Sequence, residues 1–259
     1  MRQRKTMNFK RLLTASALSL TFIAAGISAA NAFDDAQKKE IGAIVKAYLM
    51  EHPEVMLDVQ RALEKKQDDA RMAQAKTAVD ENKDGIFHAA YDLSVGNPKG
   101  KITIVEFFDY NCGYCKRAIS DMDAVIKKNP DVRFVLKEFP ILGPDSVAAH
   151  QVSDAFRHIA PEKYGQFHRE LLGGQEHASE ARALEVAASL GVSEAEIRTQ
   201  MSKTNNEASV RETYALAHKL GITGTPTYIV GDEAVFGAVG AEALDEKVAN
   251  LGQCGKTSC

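Results

Sequence analysis

The stretch that most constrains the fold is residues 102–138, "ITIVEFFDYNCGYCKRAISDMDAVIKKNPDVRFVLKE". "KITIVEFFDY", Lys101 to Tyr110, is β-branched and aromatic, and its middle is apolar on both faces except at Thr103 and Glu106. That is the pattern of a central strand, covered on both sides. "CKRAISDMDAVIKKNP" is an amphipathic helix stopped by Asn129-Pro130, and "DVRFVLKEFPIL" is a second strand. A strand–helix–strand run of this length predicts a parallel, right-handed crossover unit. Cys112 and Cys115 sit at the junction where the first strand becomes the helix.

The rest of the chain extends this α/β frame. "SVGNPKGK", Ser94 to Lys101, is dense in Gly, Asn and Pro and reads as a turn. Residues 143–220 are almost wholly helical in pattern, with four or five helices. Ser179 and Ser193 supply N-caps, the second with Glu196 three residues on, as in a capping box. In "GTPTYIVGDEAVFGAVG", Thr227–Val230 and Ala234–Ala238 form a hairpin across Gly231-Asp232-Glu233. A helix over Ala241–Leu251 closes the chain. The body therefore reads β–α–β, a helical block, then β–β–α.

The N-terminal side divides into a leader and a helical segment. Five basic residues precede an apolar run, Leu12 to Ala25, and Ala30-Asn31-Ala32 is an A-x-A cleavage pattern. This predicts a signal peptide over 1–32, and hence export to an oxidising space such as the periplasm. Without those five residues, 27 Lys+Arg face 35 Asp+Glu, a net charge of −8, against −3 for the whole chain. Such a balance excludes nucleic acid as the expected partner. Residues 33–90 form a helical segment, with helices near 35–51 and 53–80 and Pro53 opening the second. Its stripe, Ile41, Val45, Tyr48, Met56, Val59 and Leu63 with His52 allowed as a step, is narrow and flanked by charge. A stripe of that width docks on its own body or on copies of itself. Residues 91–259 make up the main domain.

Three chemistries fit Cys112-Gly113-Tyr114-Cys115. Together with Cys254 and Cys259 it offers four thiolates for zinc, although the second pair is spaced C-x4-C at the tail. As a structural disulfide it closes a tiny loop and removes little chain entropy. As a redox pair it has positive support. A sulfur at a helix N-terminus faces unpaired N–H groups and the positive end of the helix dipole, and both favour a thiolate. Lys116 and Arg117 add cationic charge in the sequence nearby. Cys115, one turn on, is placed to resolve a mixed disulfide. Far downstream, Pro226 suits the start of a strand, because it cannot donate to a ladder. A cis Thr225–Pro226 bond turns the Thr225 backbone toward the cysteines, where it can pair with an extended substrate; an ordinary trans bond at a strand edge is the plainer alternative.

"EFFDYNCGYCK" and "GTPTYIVG", in this order around a helical block, resemble the thioredoxin superfamily, and within it the DsbA-like branch with a helical insertion. The resemblance covers about residues 95–252. It implies a nucleophile at Cys112, a resolving thiol at Cys115 and a cis-proline loop at Thr225-Pro226, with the redox-active disulfide serving in place of a cofactor. It also implies a buried acid at Glu106, which burial makes a proton carrier for the resolving thiol. A plainer role for Glu106 is pairing with a neighbouring-strand lysine such as Lys137.

"IGAIVKAYLMEHPEVMLDVQRALEKKQ" resembles the N-terminal helices of ScsC-like exported thiol-disulfide proteins and of the Com outer-membrane antigens. It implies a dimer or trimer, and outer-membrane association as an alternative to a free periplasmic location. No cysteine lies near the leader's cleavage site, which argues against a lipid anchor. Gly113-Tyr114 departs from the Pro-His of the oxidising DsbA and equals the pair of DsbC-type isomerases. That points to isomerase or reductase work on misoxidised exported proteins, with a membrane redox partner to recharge the pair, in preference to a DsbA-like oxidase. A non-catalytic exported chaperone or surface antigen is the rival from another class. Cys254 and Cys259 are read as a local disulfide, with an accessory redox pair as the alternative. Among the remaining residues, His150, His158 and His168 are read as surface or packing groups, and Phe108 and Tyr110 as half-buried strand residues in preference to groove-lining ones.

Overall fold

The computed structural model describes residues 34–89, 92–203 and 206–259. The leader assigned to 1–32 lies outside the described residues. The chain forms two compact units that divide between Glu64 and Lys65.

The first unit holds helix α1, Asp35–Glu51, and the start of helix α2, Glu54–Glu81. Asp34 caps α1 in a capping box: its carboxylate accepts from the Gln37 N–H at 2.8 Å, and the Gln37 side chain accepts in return at 3.0 Å. No residue of α1 is buried. The apolar members of the stripe, Ile41, Val45, Tyr48, Met56, Val59 and Leu63, are exposed, and His52 is half-buried.

The second unit is built on a five-stranded sheet of order β1-β3-β2-β4-β5. Its strands are β1 Leu93–Gly96, β2 Ile102–Phe108, β3 Val132–Glu138, β4 Thr227–Val230 and β5 Glu233–Phe236. β2 and β3 run parallel, as the crossover predicts, and every other neighbouring pair is antiparallel. The connection is helix α4, Gly113–Lys128, closed by Asn129, whose side chain donates to the Val125 carbonyl at 3.0 Å. The Ser94–Lys101 turn is corrected in its first half: Leu93–Gly96 is an edge strand on β3, with Leu93 opposite Leu136. Four residues with one buried side chain, Val95, carry too little periodicity to be read, and the Gly96 φ of 87° ends the strand. A short helix α3, Lys83–Phe87, also precedes β1.

Between β3 and β4 lie α5 Pro144–Ile159, a 3-10 turn at Pro161–Lys163, α6 Tyr164–Gly173, α7 Glu180–Ser189, α8 Glu194–Met201 and α9 Asn206–Lys219. Ser179 and Ser193 cap α7 and α8, the second with the Glu196 capping box. Helix α10, Ala241–Cys254, closes the fold.

Strand alternation sorts the core onto two faces. Ile104, Phe108, Phe134 and Leu136 face α4, α10 and most of the insertion. Val105, Phe107, Val135 and Ile229 face the other side, where Ala75, Ala78 and Val79 of α2, Ile86 of α3 and Leu220 cover them. Each fully buried Phe contributes about 2–3 kcal/mol by its removal from water. These contacts place Ala75, Ala78 and Val79 in the second unit: the later turns of α2 carry small apolar residues that belong to the sheet's core. Lys137 stands beside Phe107 on this second face and is clasped by both Asp92 oxygens at 2.8 Å.

Candidate active site

Cys112 is the N-cap of α4, in an extended conformation that leaves its side chain over the first turn. Its Sγ accepts from the Cys115 N–H at 3.4 Å. From a point 113 residues away, the Thr225 carbonyl approaches the same sulfur to 3.2 Å and accepts from it when it is a thiol. The Thr225–Pro226 peptide bond is cis, and Pro226 leads directly into β4. The sequence spacing and the fold thus bring Cys112, Cys115, Thr225 and Pro226 to one point, above the ends of β2 and β4.

The two thiols are strongly unlike. The Cys112 thiol is lowered to about 5, first by the hydrogen bond from the Cys115 thiol. Burial opposes this, while the Thr225 side chain and the N–H groups of Cys115 and Tyr114 add to it. Cys115 is fully buried; burial first, and then the hydrogen bond it gives Cys112, push its thiol far above the ordinary range. The pair therefore holds one thiolate and one thiol, which is the division of labour that exchange requires. Gly113 and Tyr114 lie between them on the surface, Tyr114 61% exposed.

Glu106 lies in β2 between Leu136 and Tyr228 and is buried. Burial, and after it the negative charges of Cys112 and Asp121, raise its carboxyl to about 8. Its pairing with Lys137 is corrected: successive strand residues point to opposite faces, and Lys137 stands in register with Phe107, on the far side of the sheet. Cationic support for Cys112 is corrected in the same way. Lys116 donates to the Gly174 carbonyl, and the Arg117 guanidinium lies over the Tyr114 ring at 4.4 Å. The lowering at Cys112 comes from hydrogen bonds and the helix terminus, not from a neighbouring ammonium.

Cys254 and Cys259 are joined to each other. The tail they close packs Thr257 near Gly231, at the end of β4 remote from Pro226, so the four cysteines do not converge. Among the described residues no cluster of three or more His, Cys, Asp or Glu side chains is arranged to hold a metal.

Several residues at or near the site carried no signal that we read. Tyr228, opposite Glu106 in β4, is buried, and burial raises its hydroxyl pKa. Asp109 and Asn111 hold the turn before Cys112, and the Asp-x-Asn run was legible as an Asx-type turn. His150 and His168 are buried, which removes the surface reading. His150 pairs with Glu138 at 2.5 Å, and burial lowers His168 to about 4 among the rings of Phe108 and Tyr110. Phe108 and Tyr110 are themselves buried, not half-buried.

A strand-to-helix dithiol with a proline loop opposite it is the arrangement of a thioredoxin-type fold. The chain belongs to the family described as "DSBA-like thioredoxin domain", whose model matches residues 103–249. A second model, "Copper resistance protein ScsC N-terminal domain", matches residues 37–70. A thioredoxin-like oxidoreductase from Silicibacter pomeroyi DSS-3 is 36% identical, with a TM-score of 0.63, over 67% of this chain and 99% of that one. The thiol-disulfide exchange protein alpha-DsbA2 from Wolbachia pipientis is 29% identical, with a TM-score of 0.65, over 70% and 98%. Proteus mirabilis ScsC in a transitional conformation is 28% identical, with a TM-score of 0.59, over 83% and 94%. The chain spans about a quarter of the first curated relatives it matches. One is a Na(+)/H(+) antiporter, NhaA 3 of Salinispora tropica, 23% identical over 59% of this chain and 24% of that protein. The chain is thus a member of the DsbA-like family, with solved structures of the DsbA and ScsC type among those it resembles.

Proposed function

We propose that this protein is a periplasmic thiol-disulfide exchange enzyme that acts on exported proteins, as an isomerase or reductase in preference to an oxidase. The observation that carries the reading is Cys112 Sγ, set between the Cys115 N–H at 3.4 Å and the Thr225 carbonyl at 3.2 Å. In the reducing direction the Cys112 thiolate attacks one sulfur of a substrate disulfide. A mixed disulfide forms and the other substrate sulfur leaves as a thiolate. Cys115 then gives up its proton and attacks Cys112 Sγ, which releases the substrate as a dithiol and leaves Cys112–Cys115 oxidised. In isomerisation the substrate's own thiolate displaces Cys112 instead, and no net electrons are transferred.

Glu106 serves as the proton acceptor of Cys115 in this scheme, because its carboxyl near 8 exchanges protons at neutral pH. Part of that elevation comes from the charge on Cys112. Once Cys112 is tied up in a mixed disulfide that charge is gone, and Glu106 ionises at the stage where Cys115 needs a base. The Thr225-Pro226 backbone and the exposed Gly113-Tyr114 pair form the surface against which the substrate strand lies.

Three features support the isomerase or reductase direction. The Cys112 thiol near 5 lies between the about 7 of thioredoxin and the about 3.5 of DsbA, a milder poise than the strong oxidant. The neutral Tyr114 stands where a cation would stabilise the thiolate further. The exposed stripe on α1 and α2 supports self-association into a dimer or trimer, which would place several active sites around one substrate. The leader pattern supports export to the periplasm, with a membrane partner to set the redox state.

Insulin reduction compared between the parent and Cys112→Ala tests the chemistry, and retained activity in the variant refutes it. Refolding of scrambled ribonuclease against oxidation of reduced ribonuclease tests the direction. A monomer that only oxidises would overturn the isomerase preference.

A further inference from the structure

Asp109 and Asn111, in the turn between β2 and Cys112, are tied by their side chains to the helical insertion. The buried Asp109 carboxylate accepts from the Asn111 N–H at 2.7 Å, the Leu142 N–H at 2.9 Å and the Ser146 hydroxyl at 2.7 Å. The Asn111 side chain exchanges two hydrogen bonds with the Ala178 backbone, donating at 2.9 Å and accepting at 2.8 Å. Its second amide hydrogen goes to Ser146 Oγ at 3.0 Å. Ser146 thus accepts from one turn residue and donates to the other. Leu142 and Ser146 lie at the start of α5, whereas Ala178 precedes the N-cap of α7. Two separate points of the insertion therefore grip one four-residue turn. Lys116, one turn into α4, adds a third tie through the Gly174 carbonyl. The same turn ends in Cys112, whose N–H donates to the Asp109 carbonyl at 3.0 Å.

We propose that this clamp makes the helical insertion the positioning element of the nucleophile: Ser146 and Ala178 hold the Asp109–Cys112 turn so that Sγ meets the first N–H groups of α4. The proposal rests on Cys112 as the exchange nucleophile. Its physical basis is alignment. The Cys115 N–H reaches Sγ at 3.4 Å, an ordinary length for a bond to sulfur. Such a bond weakens steeply once the donor angle falls below about 120°, and the turn sets that angle by setting where Sγ stands. Asn111 and Ser146 carry no charge, and the clamp's charged members, Asp109 and Lys116, are left in place when either is cut, so Asn111 and Ser146 are positioning residues and not catalytic ones. The ionisable groups that sense Cys112 from the packed elements, Cys115 on α4, Glu106 on β2 and Tyr228 on β4, stay intact when the clamp is cut.

The test is the thiolate absorbance of the reduced protein titrated with acid, in the parent, Ser146→Ala, Asn111→Ala and the double variant. Each single variant is expected to raise the Cys112 midpoint by about one pH unit, roughly a tenfold loss of thiolate at a fixed lower pH. The double variant is expected to shift no further than the larger single shift, because the two residues act in one network. Unfolding temperatures taken in parallel separate positioning from plain stability. Parent midpoints in both single variants overturn the proposal, and so do shifts that merely track lost stability. Ser146→Ala removes one hydroxyl, and should either variant fail to fold the other decides. The titration needs no catalysis. A parent inactive on insulin would therefore sink the functional reading while leaving this measurement able to support or overturn the clamp.

Discussion

The two cysteine pairs stand at opposite ends of their helices, Cys112 and Cys115 as free thiols and Cys254 and Cys259 joined in a small ring. Cys112 opens α4, where the N–H groups are unpaired and the helix dipole is positive. Cys254 is the last residue of α10, where the dipole is negative and Gly255 turns the chain away in the left-handed region. Cys112 and Cys115 are buried beside Thr225 and Glu106, whereas Cys254 and Cys259 are exposed on the tail. A thiolate is favoured in the first setting and disfavoured in the second. On the proposed function, the same functional group is a reagent at one helix end and a fastening at the other, and the position on the helix makes the difference.

The sharpest break of this contrast is by substitution. Cys112→Ala is expected to lower insulin reduction by about a hundredfold or more, since the nucleophile itself is lost. The Cys254→Ala, Cys259→Ala double variant is expected to stay within about twofold of the parent, because its pair takes no part in the exchange. Equal losses in the two would erase the distinction between reagent and fastening.

A second contrast lies between the buried first site and the uncovered stripe. Val45→Glu with Leu63→Glu places charge on the exposed apolar stripe of α1 and α2. Sedimentation is expected to show a shift from oligomer toward monomer, with insulin reduction kept and ribonuclease unscrambling lost. Unchanged sedimentation would remove self-association from the reading.

The third prediction uses pH. In the reduced protein Cys112 has its thiol lowered from the ordinary 9.0 to about 5, so the folded chain has released a proton that the unfolded chain still holds. Its contribution to stability is full above about 9, declines below that, and is lost as pH falls through about 5. Glu106 is raised from the ordinary 4.5 to about 8, so its contribution runs the other way and declines as pH rises between those values. The two oppose each other, and urea unfolding of the reduced parent is expected to vary little between about pH 5 and 8 from this pair. Glu106→Gln removes the falling arm, and its stability is expected to climb across that window with a slope of up to about one proton. A variant as flat as the parent would show that Glu106 is not the opposing group.

The smallest effect is expected at the tail. Opening Cys254–Cys259 releases a ring with a sequence separation of 5. By loop entropy that costs at most about 2 kcal/mol. Thermal unfolding of the double alanine variant measures it, and a much larger loss would mean that the tail supports the β4 turn through Thr257.

Much of this was legible in the chain itself. The strand before Cys112, the helix after it and the parallel return strand each carry a full period of pattern, and all three stand where that pattern places them. The helical block and its Ser caps were equally plain, because capping is local chemistry. The edge strand at Leu93–Gly96 was not, since four residues cannot display a period. Nor was the burial of the later turns of α2, where Ala75 and Ala78 are buried because small residues let a helix approach a sheet closely.

The sequence by itself determined the reactive junction: two cysteines one turn apart, at the point where a buried strand becomes a helix, with a proline marking a later strand. Short-range spacing carries that information, because backbone periodicity and helix polarity follow from neighbours in the chain. Tertiary structure alone decided what surrounds the sulfur. Strand register sends Glu106 toward the cysteines and Lys137 away from them. Packing of the insertion brings Ser146 and Ala178 onto the turn before Cys112. The β2–β4 pairing brings Thr225 within 3.2 Å of a thiol 113 residues distant. Those contacts depend on register and on the packing of remote segments, which no local spacing encodes.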